Sequence, residues 1–214
     1  MGDKKRLFLA VNLSVAVTRK IADAAARMRQ TAERRGLKVG WVAPANLHVT
    51  LKFLGWTPAE AATAIEDKMA AALAGRRPFD LGARGAGAFP TESQARVLWV
   101  GIADASGGLA QLAAVAEEQM EKLGYARETR PFSAHVTVGR VKEGKGADEV
   151  LAPFKQTDFG SSSIREVILY ESQMRSTGSE YAPLARIGFG PPERQTRDVE
   201  GSKESEGPTN GGQS

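Results

Sequence analysis

A chain of 214 residues, 42% hydrophobic and 25% charged, is long enough for one large domain or two small lobes around a core that needs no staples. It contains no cysteine, which excludes disulfides, thiolate metal sites and cysteine nucleophiles and fits a reducing compartment. The net charge is +4, yet residues 191–214 hold only three of the 29 basic residues and five of the 25 acidic ones, so the rest of the chain is more basic than the whole and suits an anionic ligand such as nucleic acid.

The chain opens with basic residues before the apolar run Leu7–Leu13, "LFLAVNL". The run is too short for a signal-peptide core or a membrane span and reads as a first strand in a cytoplasmic protein. From Thr18 to Arg35 the spacing becomes helical, with Ile21, Ala25, Met28 and Ala32 on one face and Gly36 ending the helix. His48, Thr50 and Lys52 then alternate with Val49, Leu51 and Phe53, the period of a strand with one apolar face. "TPAE" follows, with Thr57 as helix cap, Pro58 at the first helical position and Glu60 closing a capping box. Ile65, Met69 and Leu73 form that helix's buried stripe, and Gly75 ends it.

The second half repeats the order. Phe79–Phe89 and Ala95–Ile102 read as strands. Leu109, Leu112, Ala116, Met120 and Leu123 make a helical stripe ended by Gly124. A strand starting near His135 follows, then a weaker helical stretch at Ala147–Ala152 and strands at Ile164–Tyr170 and Tyr181–Phe189. Strand, helix, His-Val-Thr strand, helix thus occurs twice, the pattern of an internal duplication. The mixture is α+β. Residues 1–190 read as one duplicated domain. Residues 191–214, rich in Pro, Gly, Ser and Glu, read as a disordered tail that cannot offset its ordering entropy.

The chain has two histidines, His48 and His135, and each begins the tripeptide His-Val-Thr. On a strand, i and i+2 share a face, so each tripeptide presents an imidazole beside a hydroxyl while valine enters the core. Two such strands across a groove would hold two imidazoles and two hydroxyls. Hydrolysis of a cyclic phosphodiester needs this set: a base for water, an acid for the departing sugar oxygen, and donors for the phosphate oxygens. Imidazole as a metal ligand would need further ligands, and no carboxylate recurs beside either histidine. A merely structural histidine remains the alternative for each strand taken singly, and a non-catalytic RNA or nucleotide-binding groove remains one for the pair.

These residues resemble the two-histidine phosphoesterase superfamily and, within it, the RNA 2′,3′-cyclic phosphodiesterases, also called 2′-5′ RNA ligases. The resemblance spans roughly residues 6–189 and rests on "RLFLAV", "WVAPANLHVTLKFLG", "GAFP…RVLWVGI", "RPFSAHVTVGR" and "VILYES". The proline usual before the second histidine is Ala134 here. The resemblance implies a bilobal α+β fold: two pseudo-symmetric lobes of mainly antiparallel sheet, outer helices and a central groove. It implies His48 as general acid toward the leaving O3′, His135 as general base toward water, and a 2′-phosphate product. Thr50 and Thr137 would bind phosphate, and Arg140 sits where the family places an arginine. Strict alternation puts Arg140 opposite His135, so a bulge is needed. Lys52 stands on the histidine face by alternation and could meet phosphate; Arg130 is a weaker candidate. Trp41, Phe53 and Phe132 lie near the motifs, with core the ordinary fate of such aromatics. The expected partner is RNA with 2′,3′-cyclic phosphate ends, tRNA fragments included, met by a monomer away from membranes without cofactor or metal. Ligation through a 2′-5′ bond would be the reverse reaction, and another cyclic or 2′-5′ substrate stays open.

Overall fold

The computed structural model describes residues 3–144, 146–175 and 178–190; the predicted tail lies outside the described residues. The chain runs β1 (Lys4–Val11), α1 (Val15–Arg34), β2 (Lys38–Trp41), a 3-10 turn (Pro44–Asn46), β3 (Val49–Pro58), α2 (Ala61–Leu73), β4 (Phe79–Phe89) and β5 (Val97–Ala103). It continues with α3 (Gly108–Lys122), β6 (His135–Glu143), α4 (Asp148–Leu151), a 3-10 turn (Ala152–Phe154), β7 (Asp158–Ile164), β8 (Glu166–Arg175) and β9 (Gly178–Gly188).

Among the described residues the strands form one sheet in the order β7-β4-β5-β6-β3-β1-β8-β9, with β2 on β6, and its paired strands are antiparallel. The sheet divides naturally in the middle. β3 and β6 meet through the single pair Val49–Val136, whereas their outer neighbours are paired over many residues. The result is the expected bilobal α+β fold, with β7, β4, β5, β6 and β2 in one lobe, β3, β1, β8 and β9 in the other, and β3 and β6 at the junction.

The lobes are not the two halves of the sequence. β4, from the first half, lies beside β5 and β7; β8 and β9, from the end, lie beside β1. The helices cross over as well. α1, which follows β1, packs on β7, β2, β6 and α4, whereas α3 packs on β3 and α2. α1 turns Val17, Ile21, Ala24, Met28 and Ala32 inward, and α3 turns Leu109, Leu112, Ala113, Ala116 and Met120 inward. These stripes join Leu7, Leu9, Val49, Leu98, Val100, Val136 and Val138 in one continuous core on the helix side of the sheet. On the other side Phe8, Ala10, Ile168 and Tyr170 form a small cluster of their own, with Tyr181 against it.

Two expectations change at the helix starts. α1 begins before Thr18: Ser14 is its cap, and its Oγ accepts from Val17 N–H at 3.4 Å. The Thr57 capping box does not form. Thr57 lies in β3, fully buried and paired with Lys5, and its hydroxyl donates to Gly55 O. α2 starts later, after Glu60, without a side-chain cap. Pairing with β1 as far as Lys4–Pro58 carries the strand through the residues that local chemistry offered to a helix.

Candidate active site

The pair Val49–Val136 sends both valines, fully buried, into the core. His48 and Thr50 from one lobe and His135 and Thr137 from the other therefore share the opposite face. All four line one groove of about 790 Å³.

Each histidine is held in the same way. His48 Nδ1 lies 2.7 Å from Asn46 O, and His135 Nδ1 lies 2.7 Å from Ser133 O. A carbonyl only accepts, so each Nδ1 carries the proton. In the neutral ring Nε2 then holds the lone pair. His48 Nε2 sits 2.9 Å from Thr50 Oγ1, whose hydroxyl donates to it in that state. The Asn46 turn is itself anchored: Asn46 Nδ2 donates to Ser179 O of β9 at 2.6 Å.

Aromatic rings fix the imidazoles laterally. His48 lies against Phe8, 4.9 Å between centroids, and meets Tyr181 edge-on at 5.3 Å. His135 meets Phe89 edge-on at 5.1 Å, and Phe89 leans on Trp99 at 5.3 Å. Trp99 in turn lies over Gly87, where a Cβ would come within 2.4 Å of the indole; only glycine fits there. Burial lowers both imidazole pKa values. The carbonyl bond opposes this in each, the charge of His135 lowers His48 further, and that of Arg140 lowers His135.

Both motif strands carry a β-bulge at the third residue after the histidine. In β3, Ala10 pairs with Thr50 and Leu9 with Lys52, leaving Leu51 as the extra residue. In β6, Trp99 pairs with Thr137 and Leu98 with Gly139, leaving Val138 extra. A bulge resets the alternation. Arg140 thereby comes to the histidine face and lines the groove. The same device moves Lys52, which also lines the groove, off the histidine face. It turns to the helix side, where its Nζ donates to Glu117 Oε2 of α3 at 2.8 Å and to Ala126 O at 2.9 Å. Lys52 is 4% exposed, the one buried charged residue among those described. Glu117 Oε2 also accepts from Glu128 N–H, so this pair ties β3 to α3 and to residues 126–133, which wall the groove.

Phe53 moves the other way, onto the groove face, 59% exposed and 5.9 Å from Phe8. Phe132 also lines the groove, whereas Trp41 packs on the core. Arg130 is at the groove wall, its side chain 86% exposed and 3.5 Å from Glu128. The sequence reading missed Phe8, Tyr181 and Phe89. Phe8 alternates with Leu7 and Leu9, which was the available signal that it faces away from the core. Among the described residues no group of three or more His, Cys, Asp or Glu is placed to hold a metal ion, and no helix is long and apolar enough to cross a membrane.

The family model described as LigT like Phosphoesterase matches residues 15–99 and again 100–181, and each stretch contains one His-Val-Thr. A protein of Archaeoglobus fulgidus named RNA 2′,3′-cyclic phosphodiesterase is 32% identical over 180 residues, 84% of this chain and 97% of its own. An Escherichia coli protein of the same name is 31% identical over 189 residues, 87% of this chain and 97% of its own. Among solved structures, one from Thermus thermophilus superposes with a TM-score of 0.73 at 26% identity, covering 86% of this chain and 97% of that one. Escherichia coli LigT complexed with 3′-AMP superposes with a TM-score of 0.65 at 27% identity, covering 87% and 99%.

Proposed function

This chain belongs to the LigT-like phosphoesterase family and is a phosphodiesterase, and we propose that it opens RNA 2′,3′-cyclic phosphate ends to 2′-phosphomonoesters. The observation that carries this reading is the matched pair of imidazoles. Each has its Nδ1–H tied to a carbonyl two residues upstream, and both line one groove with a threonine beside them.

In this reading His135 Nε2 takes a proton from water as the water oxygen attacks phosphorus. The P–O3′ bond breaks, and His48 Nε2–H gives its proton to O3′. The 2′-phosphate remains on the sugar, and one proton has moved from water to O3′ through two separate groups. Charge on the non-bridging oxygens is met by Thr50, Thr137 and Arg140. Thr50 is coupled to the acid. When His48 carries the reactive proton, Nε2–H donates to Thr50 Oγ1, and the threonine proton is released toward phosphate. Lys52 positions the wall at 126–133 rather than touching phosphate. No step draws on a metal or cofactor. The enzyme acts as a cytoplasmic monomer on RNA ends, tRNA fragments included, and 2′-5′ ligation is the reverse passage through the same groove.

The test is incubation of a short RNA with a 2′,3′-cyclic end in EDTA, with the product read by phosphorus NMR. A 2′-phosphate is expected. A 3′-phosphate means that acid and base, or the substrate's orientation, are exchanged; no product from the intact protein sinks the hydrolase reading.

The pH dependence follows from the lowered pKa values. The productive pair holds one proton, and its population peaks between the two macroscopic pKa values. Both lie below the ordinary imidazole value of about 6.5. The kcat/KM profile of the free enzyme should therefore be a bell centred on the acid side of that value. The bound phosphodiester anion favours imidazolium, so the kcat bell should lie at higher pH. A kcat/KM optimum well above neutrality contradicts this.

A further inference from the structure

Beyond the histidines, the groove face of β1 and β3 carries a row of side chains that the chemistry does not use. Two bulges make it. The first, at Leu51, brings Phe53 to this face; the second, at Leu54, leaves Phe8 opposite Phe53, Leu7 opposite Gly55 and Arg6 opposite Trp56. Thr57 is thereby buried on the core side, and Trp56 is left 69% exposed beside Arg6. Arg6 and Lys4, both exposed, follow Phe8 at every second residue of β1 and so share its face. The row is continuous with the site, because the Phe8 ring touches both His48 and Phe53.

Aromatic rings open to solvent, interleaved with cations along a strand, form a platform for single-stranded nucleic acid: bases stack on the rings and phosphates meet the cations. Successive positions on this face are about 7 Å apart, two strand residues, so each ring takes a separate, splayed base. A cyclic phosphate ends its RNA at the 3′ side, so all remaining nucleotides lie 5′ of it and must leave the groove in some direction.

We propose that the β1/β3 face bearing Arg6, Phe53 and Trp56 binds the single-stranded RNA 5′ of the cyclic end, making the protein selective for oligonucleotides over cyclic mononucleotides. This rests on the hydrolase reading above. The test compares kcat/KM on a nucleoside 2′,3′-cyclic phosphate and on a pentanucleotide with the same cyclic end, for the intact protein, Trp56→Ala and Arg6→Ala. Both substitutions are at exposed positions, and circular dichroism checks the fold.

The intact protein should prefer the pentanucleotide. Trp56→Ala should lower pentanucleotide kcat/KM about tenfold or more, with the mononucleotide value changed less than twofold. Arg6→Ala should reduce the salt slope of pentanucleotide binding by about one. Equal losses on both substrates, or none, overturn the track. So does a change of oligomeric state on Trp56→Ala, which would make the face a protein contact. If the intact protein turns over neither substrate, the hydrolase reading fails by itself. Anisotropy of a labelled pentanucleotide then decides the track: affinity lost in Trp56→Ala supports it, and unchanged affinity overturns it.

Discussion

His48→Asn and His135→Asn should each lower kcat on a cyclic-ended RNA by about 10³-fold, within the 10²–10⁴ range that a positioned acid or base supplies. Asparagine is the informative substitution. Its Nδ2–H reproduces the donation that Nδ1–H makes to Asn46 O or Ser133 O, while Nε2 is lost together with the ring contacts to Phe8 and Tyr181, or to Phe89. The fold should therefore survive, with thermal midpoints close to the parent's. The two groups act in one displacement step, so the double variant should be little worse than either single one. Either single variant retaining activity within tenfold of the parent would remove that Nε2 from the reaction path.

Lys52→Met should be the most destabilising substitution at the groove, by about 3–5 kcal/mol. The side chains of Lys52 and Glu117 are 3% and 21% exposed, and removal of the cation leaves the carboxylate in a poorly hydrated place. Stability should largely return in Lys52→Met/Glu117→Leu, where both charges are gone. Turnover should not return with it. The double variant still lacks the bonds that Lys52 makes to Ala126 O and that Glu117 makes to Glu128 N–H, so the wall at 126–133 has lost its anchors. Urea unfolding and steady-state kinetics on the same variants separate the two effects. Recovery of KM together with stability would show that the pair matters for folding alone.

Lys52 also shows where the sequence stopped being legible. Alternation placed His48, Thr50, His135 and Thr137 on one face, because a strand's period of two holds from the histidine to the threonine. It failed one residue later. Leu51 and Val138 are extra residues, and nothing in "TLKF" or "TVGR" announces a bulge except the conflict it resolves. That conflict was visible for Arg140 and invisible for Lys52, since a lysine on a groove face raises no objection. The strands β2 and β7 were missed for a similar reason: Lys38–Trp41 is too short for the alternation of Val39 and Trp41 to stand out, and in Asp158–Ile164 a glycine and three serines separate Phe159 from Ile164. Thr57 was misread because its local chemistry favours a helix cap, while pairing with β1 decides its state. The exchange of helices between lobes leaves no mark on periodicity at all.

That exchange has an evolutionary corollary. Packed as they are here, α1 lies against β6 and β7 from the later part of the chain as well as its own β2, and α3 lies against β3 from the earlier part. A polypeptide of half this length would leave uncovered the part of its helical stripe that packs on the other half's strands. It would find cover by associating with a second copy about a two-fold axis, each protomer lending its helix to the other. One His-Val-Thr from each protomer would then face the other across the axis, so an ancestor with a single motif would acquire both proton carriers by dimerising. Were two such copies fused, each strand would be free to differ, as Phe53 and Arg140 do at the fifth residue after each histidine.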